Sequence, residues 1–193
     1  MLLSNTLLFG LFLLCLCGFG NRVWRILQID RGRAAALLLL CALLSQINLP
    51  LGDHVSVNLS FLLLAAAGFC IMGFQTETVM ALLTAFAAGT IAWVLHALLP
   101  AFGSDGLLIG VIGALVGLLL PGRRLGLMHV LLSPFFYGFL LMLEDWYLFD
   151  MIHFSLGSPI QLDGQAVGML LFCLGICVLP EIPYARILAK IKA

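Results

Sequence analysis

Seven long apolar stretches constrain this chain more than any motif in it. Residues 2–20, 34–50, 55–74, 79–100, 106–121, 127–148 and 164–180 carry only two charged residues between them, Glu144 and Asp145. A helix needs about 20 mostly apolar residues to cross a bilayer. The stretches therefore predict an all-α, polytopic transmembrane helix bundle of about seven spans, with residues 1–193 forming one domain. Two of them, 106–121 and 164–180, are short and require a locally thinned bilayer or protein cover at their ends. Charged residues make up only 9% of the chain and hydrophobic ones 63%. A soluble domain carries about a quarter charged residues, and disorder requires low hydrophobicity, so both classes are excluded. Nine basic residues balance nine acidic ones with no basic tract, which argues against nucleic acid as a partner and for the lipid bilayer.

The positive charges predict an orientation. Arg22, Arg25, Arg31 and Arg33 follow the first stretch instead of preceding it, the reverse of a cleaved signal peptide, so that stretch reads as a retained helix. Arg123 and Arg124 lie between the fifth and sixth stretches, and Arg186, Lys190 and Lys192 follow the seventh. With seven spans all nine fall on one side, which the positive-inside rule makes cytoplasmic. The expected topology has the N-terminus outside and the C-terminus in the cytoplasm, in the cell membrane of a prokaryote. The opposite side then holds Asp53, Asp105, Glu144, Asp145, Asp150 and Asp163 without a lysine or arginine to pair them. They form a solvated acidic rim, or some of them hold a cation or a proton.

Gly106, Gly110, Gly113 and Gly117 repeat at helical spacing and predict a close helix contact, because small residues let backbones approach in lipid. Ala81, Ala85, Ala88, Gly89 and Ala92 offer a matching stripe in the preceding stretch, so a tight hairpin of spans four and five is expected. Trp24, Trp146, Tyr147 and Tyr184 read as interfacial anchors. The six cysteines lie within spans at no metal or redox spacing. His54, His96 and His153 share the acidic side but match no ligand pattern, so neither metal nor cofactor is expected. His129 falls near Arg123 and Arg124 and is expected to meet lipid headgroups.

Two polar constellations interrupt the apolar pattern. Ser45-Gln46-Ile47-Asn48-Leu49-Pro50-Leu51-Gly52-Asp53-His54 runs on to Asn58 and Ser60. Proline and glycine break the helix there, and the freed backbone groups need partners. Asn48 and Asn58 supply them, or the broken backbone lines a wet cavity where Asn48, Asp53, His54 and Asn58 bind a solute or ion, as in transporters. The second constellation is Glu144-Asp145 with Asp163-Gly164. Asp163 suits a helix N-cap. Glu144 and Asp145 sit at a helix C-terminus, where the dipole disfavours anions, so a compensating partner or a raised pKa is expected. Asp145 and Asp163, if brought within about 5 Å, would share a proton as an aspartyl-protease pair does.

Ile47-Asn48-Leu49-Pro50, Val57-Asn58, Glu144-Asp145 and Leu162-Asp163-Gly164, in that order over residues 45–180, resemble an uncharacterised prokaryotic family of polytopic membrane proteins. The resemblance marks positions without implying a reaction. Three functions are compatible with the residues. The leading one is a small-solute or cation pathway with an acidic outer vestibule, using Asn48, Asp53, His54, Asn58, Glu144, Asp145 and Asp163. The second is an intramembrane hydrolase with Asp145 and Asp163 as catalytic residues. The third is a scaffold that binds a second copy or another membrane protein through an exposed glycine seam.

Overall fold

The computed structural model describes residues 2–18, 21–52, 54–72, 76–98, 105–149 and 154–179. Its helices are α1 (Leu2–Leu16), α2 (Asn21–Leu27), α3 (Arg31–Leu44), α4 (Leu59–Met72), α5 (Thr76–Leu98), α6 (Asp105–Leu119), α7 (Arg123–Phe149) and α8 (Pro159–Val178). Three short strands accompany them: β1 (Asn48–Pro50), β2 (Val55–Asn58) and β3 (Phe154–Leu156). Among the described residues the fold is thus helical apart from one small sheet, which the apolar pattern did not announce.

Three helical segments, Thr78–Leu98, Arg123–Leu148 and Pro159–Val178, are long and apolar enough to cross a membrane. Counting α1 and α2, bent by 94° from one another, as one broken span makes four. The remaining predicted spans are shorter than the sequence stretches implied. Stretch 34–50 becomes the 14-residue α3 followed by β1, and stretch 55–74 becomes β2 followed by the 14-residue α4. At 1.5 Å per residue each of these helices reaches about 21 Å, against a hydrocarbon core of about 30 Å. Many large apolar side chains face outward, among them Leu83, Leu98, Leu115 and Leu148. A helix surface apolar in that direction is matched to lipid or to another protein rather than to water.

The sheet forms where Pro50 and Gly52 forbid a continuous helix and the β-branched Val55 and Val57 favour extended backbone. β1 pairs antiparallel with β2, with Leu49 opposite Val57. β3 adds in parallel on the other side of β2, with Ser56 opposite Ser155. Pairing answers the backbone polar groups that leave the helices, as a low-dielectric setting demands. Gly157 closes the sheet at φ +82°, and a Cβ there would meet the Cβ atoms of Phe61 and Asn58 at 2.5 and 2.6 Å.

The glycine stripe of α6 is a contact seam, but its partners differ from those expected. Gly106 faces Asp163 and Ile160, Gly110 faces Val167 and the Gly164 carbonyl, Gly113 faces Ser133, and Gly117 faces Gly126 and Val130. The seam therefore packs on α8 and α7. The alanine stripe of α5 packs on α7 instead, with Ala81 and Ala85 against Leu125, Met128 and Leu132, and Gly89 against the backbone of Phe136 and Tyr137. The turn expected to join a hairpin of these two helices, residues 99–104, lies outside the described residues. All four seam glycines are buried, so the seam offers no outward face for a scaffold partner.

Asp163 is not the cap of α8. Ser158 holds that position, with Pro159 at the first helical position and a reciprocal capping box to Gln161, a more complete satisfaction of the free N–H groups than aspartate alone provides. Asp163 lies one turn further in and accepts a hydrogen bond from the Ser4 backbone N–H at 2.8 Å. That N–H is one of the unpaired donors at the start of α1. The carboxylate suits a helix N-terminus, as its chemistry predicts, but the helix is a different one.

Candidate functional site

α7 holds the bundle together and carries the polar groups of greatest interest. Its 27 residues include Pro134, which has no N–H to give the carbonyl four residues back. That carbonyl belongs to Val130, and the Ser133 hydroxyl donates to it at 3.4 Å. Gly113 makes room for this serine, since a Cβ there would lie 2.6 Å from Ser133 Oγ. The proline is thus answered from within the helix and from a neighbouring glycine.

His129, Ser133, Tyr137 and Glu144 occur on one face of α7, within about 80° of arc at 100° per residue. The file is about 22 Å long at 1.5 Å per residue. His129, Ser133 and Tyr137 are fully buried. His129 does not meet headgroups: its Nδ1 lies 3.1 Å from the Thr84 hydroxyl on α5, and its Nε2 is buried without a hydrogen-bond partner among the described residues. At the other end, Glu144 has the compensating partner its position requires, accepting from the Trp93 indole N–H at 2.7 Å. Beside it, His96 Nδ1 and Asp105 Oδ1 are 2.8 Å apart, joining the end of α5 to the start of α6. The His96 ring meets the Tyr137 ring edge-on at 6.4 Å.

Tyr137 lies between these pairs. The carboxylates of Asp105 and Glu144 both act electrostatically on its hydroxyl, and Asp105 is also its hydrogen-bonding neighbour, but that approach falls short of ordinary geometry, so the buried hydroxyl closes no well-formed hydrogen bond among the described residues. A buried, unmade hydrogen bond costs about 1–3 kcal/mol, so such a group calls for a purpose or a guest. Ser133 and Tyr137 were not singled out from the sequence, although their register with His129 and Glu144 on one face of α7 could have found them; Trp93, on α5, carried no such signal.

Of the two asparagines, Asn58 answers the broken backbone, and the exposed Asn48 accepts from Asn58. Asn58 is buried and donates to the Ser45 carbonyl at 2.9 Å and to Asn48 Oδ1 at 2.8 Å. Its own Oδ1 accepts from the backbone N–H groups of Ser60 and Phe61. An amide side chain has two donor hydrogens and two acceptor sites, and all four are used to tie β1, β2 and the start of α4 together. Asp53, with Asp150 and His153, lies outside the described residues; His54 is exposed beside the sheet.

Asp145 and Asp163 share no hydrogen bond among the described residues and have different neighbours. Asp145 is exposed and lines a crevice of about 150 Å³ with Ser155, Ser158 and Gln161. Asp163 follows Gln161 by two residues, about 200° around α8, and turns to α1 and α6. Among the described residues no cluster of three or more histidine, cysteine or acidic side chains is placed to hold a metal ion. No family model, curated protein or solved structure matches this chain.

Proposed function

We propose that this protein is a multi-pass membrane protein that carries a small cation, the proton, along the polar face of α7. What supports this reading is that two buried groups, the Tyr137 hydroxyl and His129 Nε2, neither closing a well-formed hydrogen bond among the described residues, occur on the same helical face as a carboxylate at its end, with the Asp105 carboxylate beside the hydroxyl. Ionisable and polar groups inside a membrane are expensive, and they mark ion or proton routes when they face a bundle interior. Hydroxyls both donate and accept, and neutral imidazole has one nitrogen of each kind, so Tyr137, Ser133 and His129 are chemically suited to pass a proton in file. Glu144, Asp105 and His96 form the acidic entrance. Asp145 and Asp163 add negative charge on that side of the bundle without belonging to the file. On this reading the bundle crosses the cell membrane about seven times with the N-terminus outside, the short helices α3, α4 and α6 being supplemented by the sheet and by neighbouring helices.

Purified protein in potassium-loaded vesicles with a pH dye inside tests the route. After valinomycin sets a potential, wild-type vesicles should acidify well above empty ones. Tyr137→Phe and Glu144→Gln should slow this by tenfold or more, the glutamine retaining an acceptor for Trp93. Wild-type flux equal to that of empty vesicles, or full flux in Tyr137→Phe, overturns the proposal. Cysteine labelling of residues 22–33 and 121–126 from the cytoplasmic side tests the orientation separately.

A further inference from the structure

A cavity of about 510 Å³ lies away from the α7 file, between α2, α3, α4, α7 and α8. That is within the roughly 300–1,000 Å³ of small-molecule sites. Its inner wall is apolar, formed by Leu37, Leu64, Leu127, Leu131 and Met169. Its rim is polar, with Gln28, Asp30, Arg33 and Arg124. We infer that this cavity binds a membrane lipid with an anionic phosphodiester headgroup, the phosphate held by Arg33 and Arg124 and an acyl chain lying on the apolar wall.

Charge identifies the headgroup. The two guanidiniums face a single carboxylate, and Asp30 is engaged in capping α3, accepting from the Arg33 backbone N–H at 3.1 Å. Arg22, Arg25 and Arg31 add positive charge in the same segment. Arg124 is held in place by its neighbours: its Nε donates to the Leu27 carbonyl at 3.0 Å and its Nη2 to Gln28 Oε1. These bonds use two of the five N–H donors of a guanidinium, and such a fork suits phosphate.

The backbone at the rim is built for this arrangement. α2 ends with Gln28 in the left-handed region at φ +55°, where glycine is the usual residue. The N–H of Ile29 reaches back to the Trp24 carbonyl at 2.9 Å. A side chain is thereby present where glycine would have had none, and it is the one that holds Arg124. Trp24 also lines the cavity, and its indole N–H is buried with no acceptor among the described residues. A lipid ester or phosphate oxygen would answer that donor. Free phosphate would leave the apolar wall empty, and a zwitterionic lipid would bring a cation to an already cationic rim.

Native mass spectrometry of the purified full chain, titrated with phosphatidylglycerol, phosphatidylcholine or inorganic phosphate, tests the site. Phosphatidylglycerol should bind at least tenfold more tightly than phosphatidylcholine. Arg33→Gln, at an exposed rim position, should erase most of that preference with an unchanged melting temperature. Ala67→Trp, which fills the cavity from α4, should abolish the bound lipid. Equal retention of the two lipids overturns the inference, as does phosphatidylglycerol binding unchanged in Arg33→Gln. Displacement of the lipid by millimolar inorganic phosphate overturns it in favour of a free anion. Should Ala67→Trp fail to fold, the Arg33→Gln preference decides alone.

Discussion

A single methyl group on α6 tests the packing of the bundle. In Gly110→Ala the new Cβ would lie 2.9 Å from both Cβ and Cγ1 of Val167 and 3.0 Å from the Gly164 carbonyl oxygen. Neither neighbour yields easily: the valine is branched at the point of contact and the oxygen belongs to the α8 backbone. Overpacking of this kind costs about 1–3 kcal/mol, offset by up to about 1 kcal/mol from replacing a helix-interior glycine. The net expectation is a loss of about 0–2.5 kcal/mol. A chain of this size shifts by about 2–4 °C per kcal/mol, so the melting temperature in detergent should fall by up to about 10 °C. Gly10→Ala supplies the control: it is also in a helix, but a Cβ there meets nothing within 4 Å, so the glycine term acts alone and stability should rise by about 0.5–1 kcal/mol. Val167→Ala in the Gly110→Ala background should recover part of the loss, with a coupling of about 0.5–3 kcal/mol. If Gly110→Ala melts at or above the Gly10→Ala protein, α6 and α8 do not pack through this seam.

Three further substitutions separate structural from functional polar groups. Tyr137→Phe should cost less than about 1 kcal/mol, because it removes a buried hydroxyl whose approach to Asp105 falls short of ordinary hydrogen-bond geometry; a larger drop in stability would show that the hydroxyl is fully satisfied and would remove it from the proton file. Asn58→Ala should cost about 1–3 kcal/mol in denaturant titration, since it deletes the cap of α4 and leaves buried partners unpaired; a loss under 0.5 kcal/mol would refute its role as the hub of the sheet. Asp163→Asn should be nearly silent in stability while Asp163→Ala costs about 1 kcal/mol, because asparagine still accepts from Ser4; loss of a cleavage activity in both Asp163→Asn and Asp145→Asn would instead revive the hydrolase reading.

The amino-acid sequence by itself determined that the chain is apolar, helical and divided at Asn48–Gly52, because burial and chain breaking depend on residue type and order alone. It also determined that α6 must approach another backbone closely and that Glu144 must find a partner, since both follow from local composition and the helix dipole. Only the tertiary structure decided who those partners are. Small residues permit close approach without specifying a neighbour, so the glycine seam meets α8 and α7 while the alanine stripe of α5 meets α7. Asp163 signalled a helix N-terminus correctly, but the capping box at Ser158 already served α8, which left the carboxylate for Ser4 of α1. The sheet escaped notice because its strands are three or four residues long and continuous with apolar helices, too short for an alternating pattern to register. The α7 file could be read from helical register on a single helix, but its buried state and its neighbours on α5 and α6 could not. The cavity was illegible, because its residues are separated along the chain by whole helices and become one surface only when those helices pack.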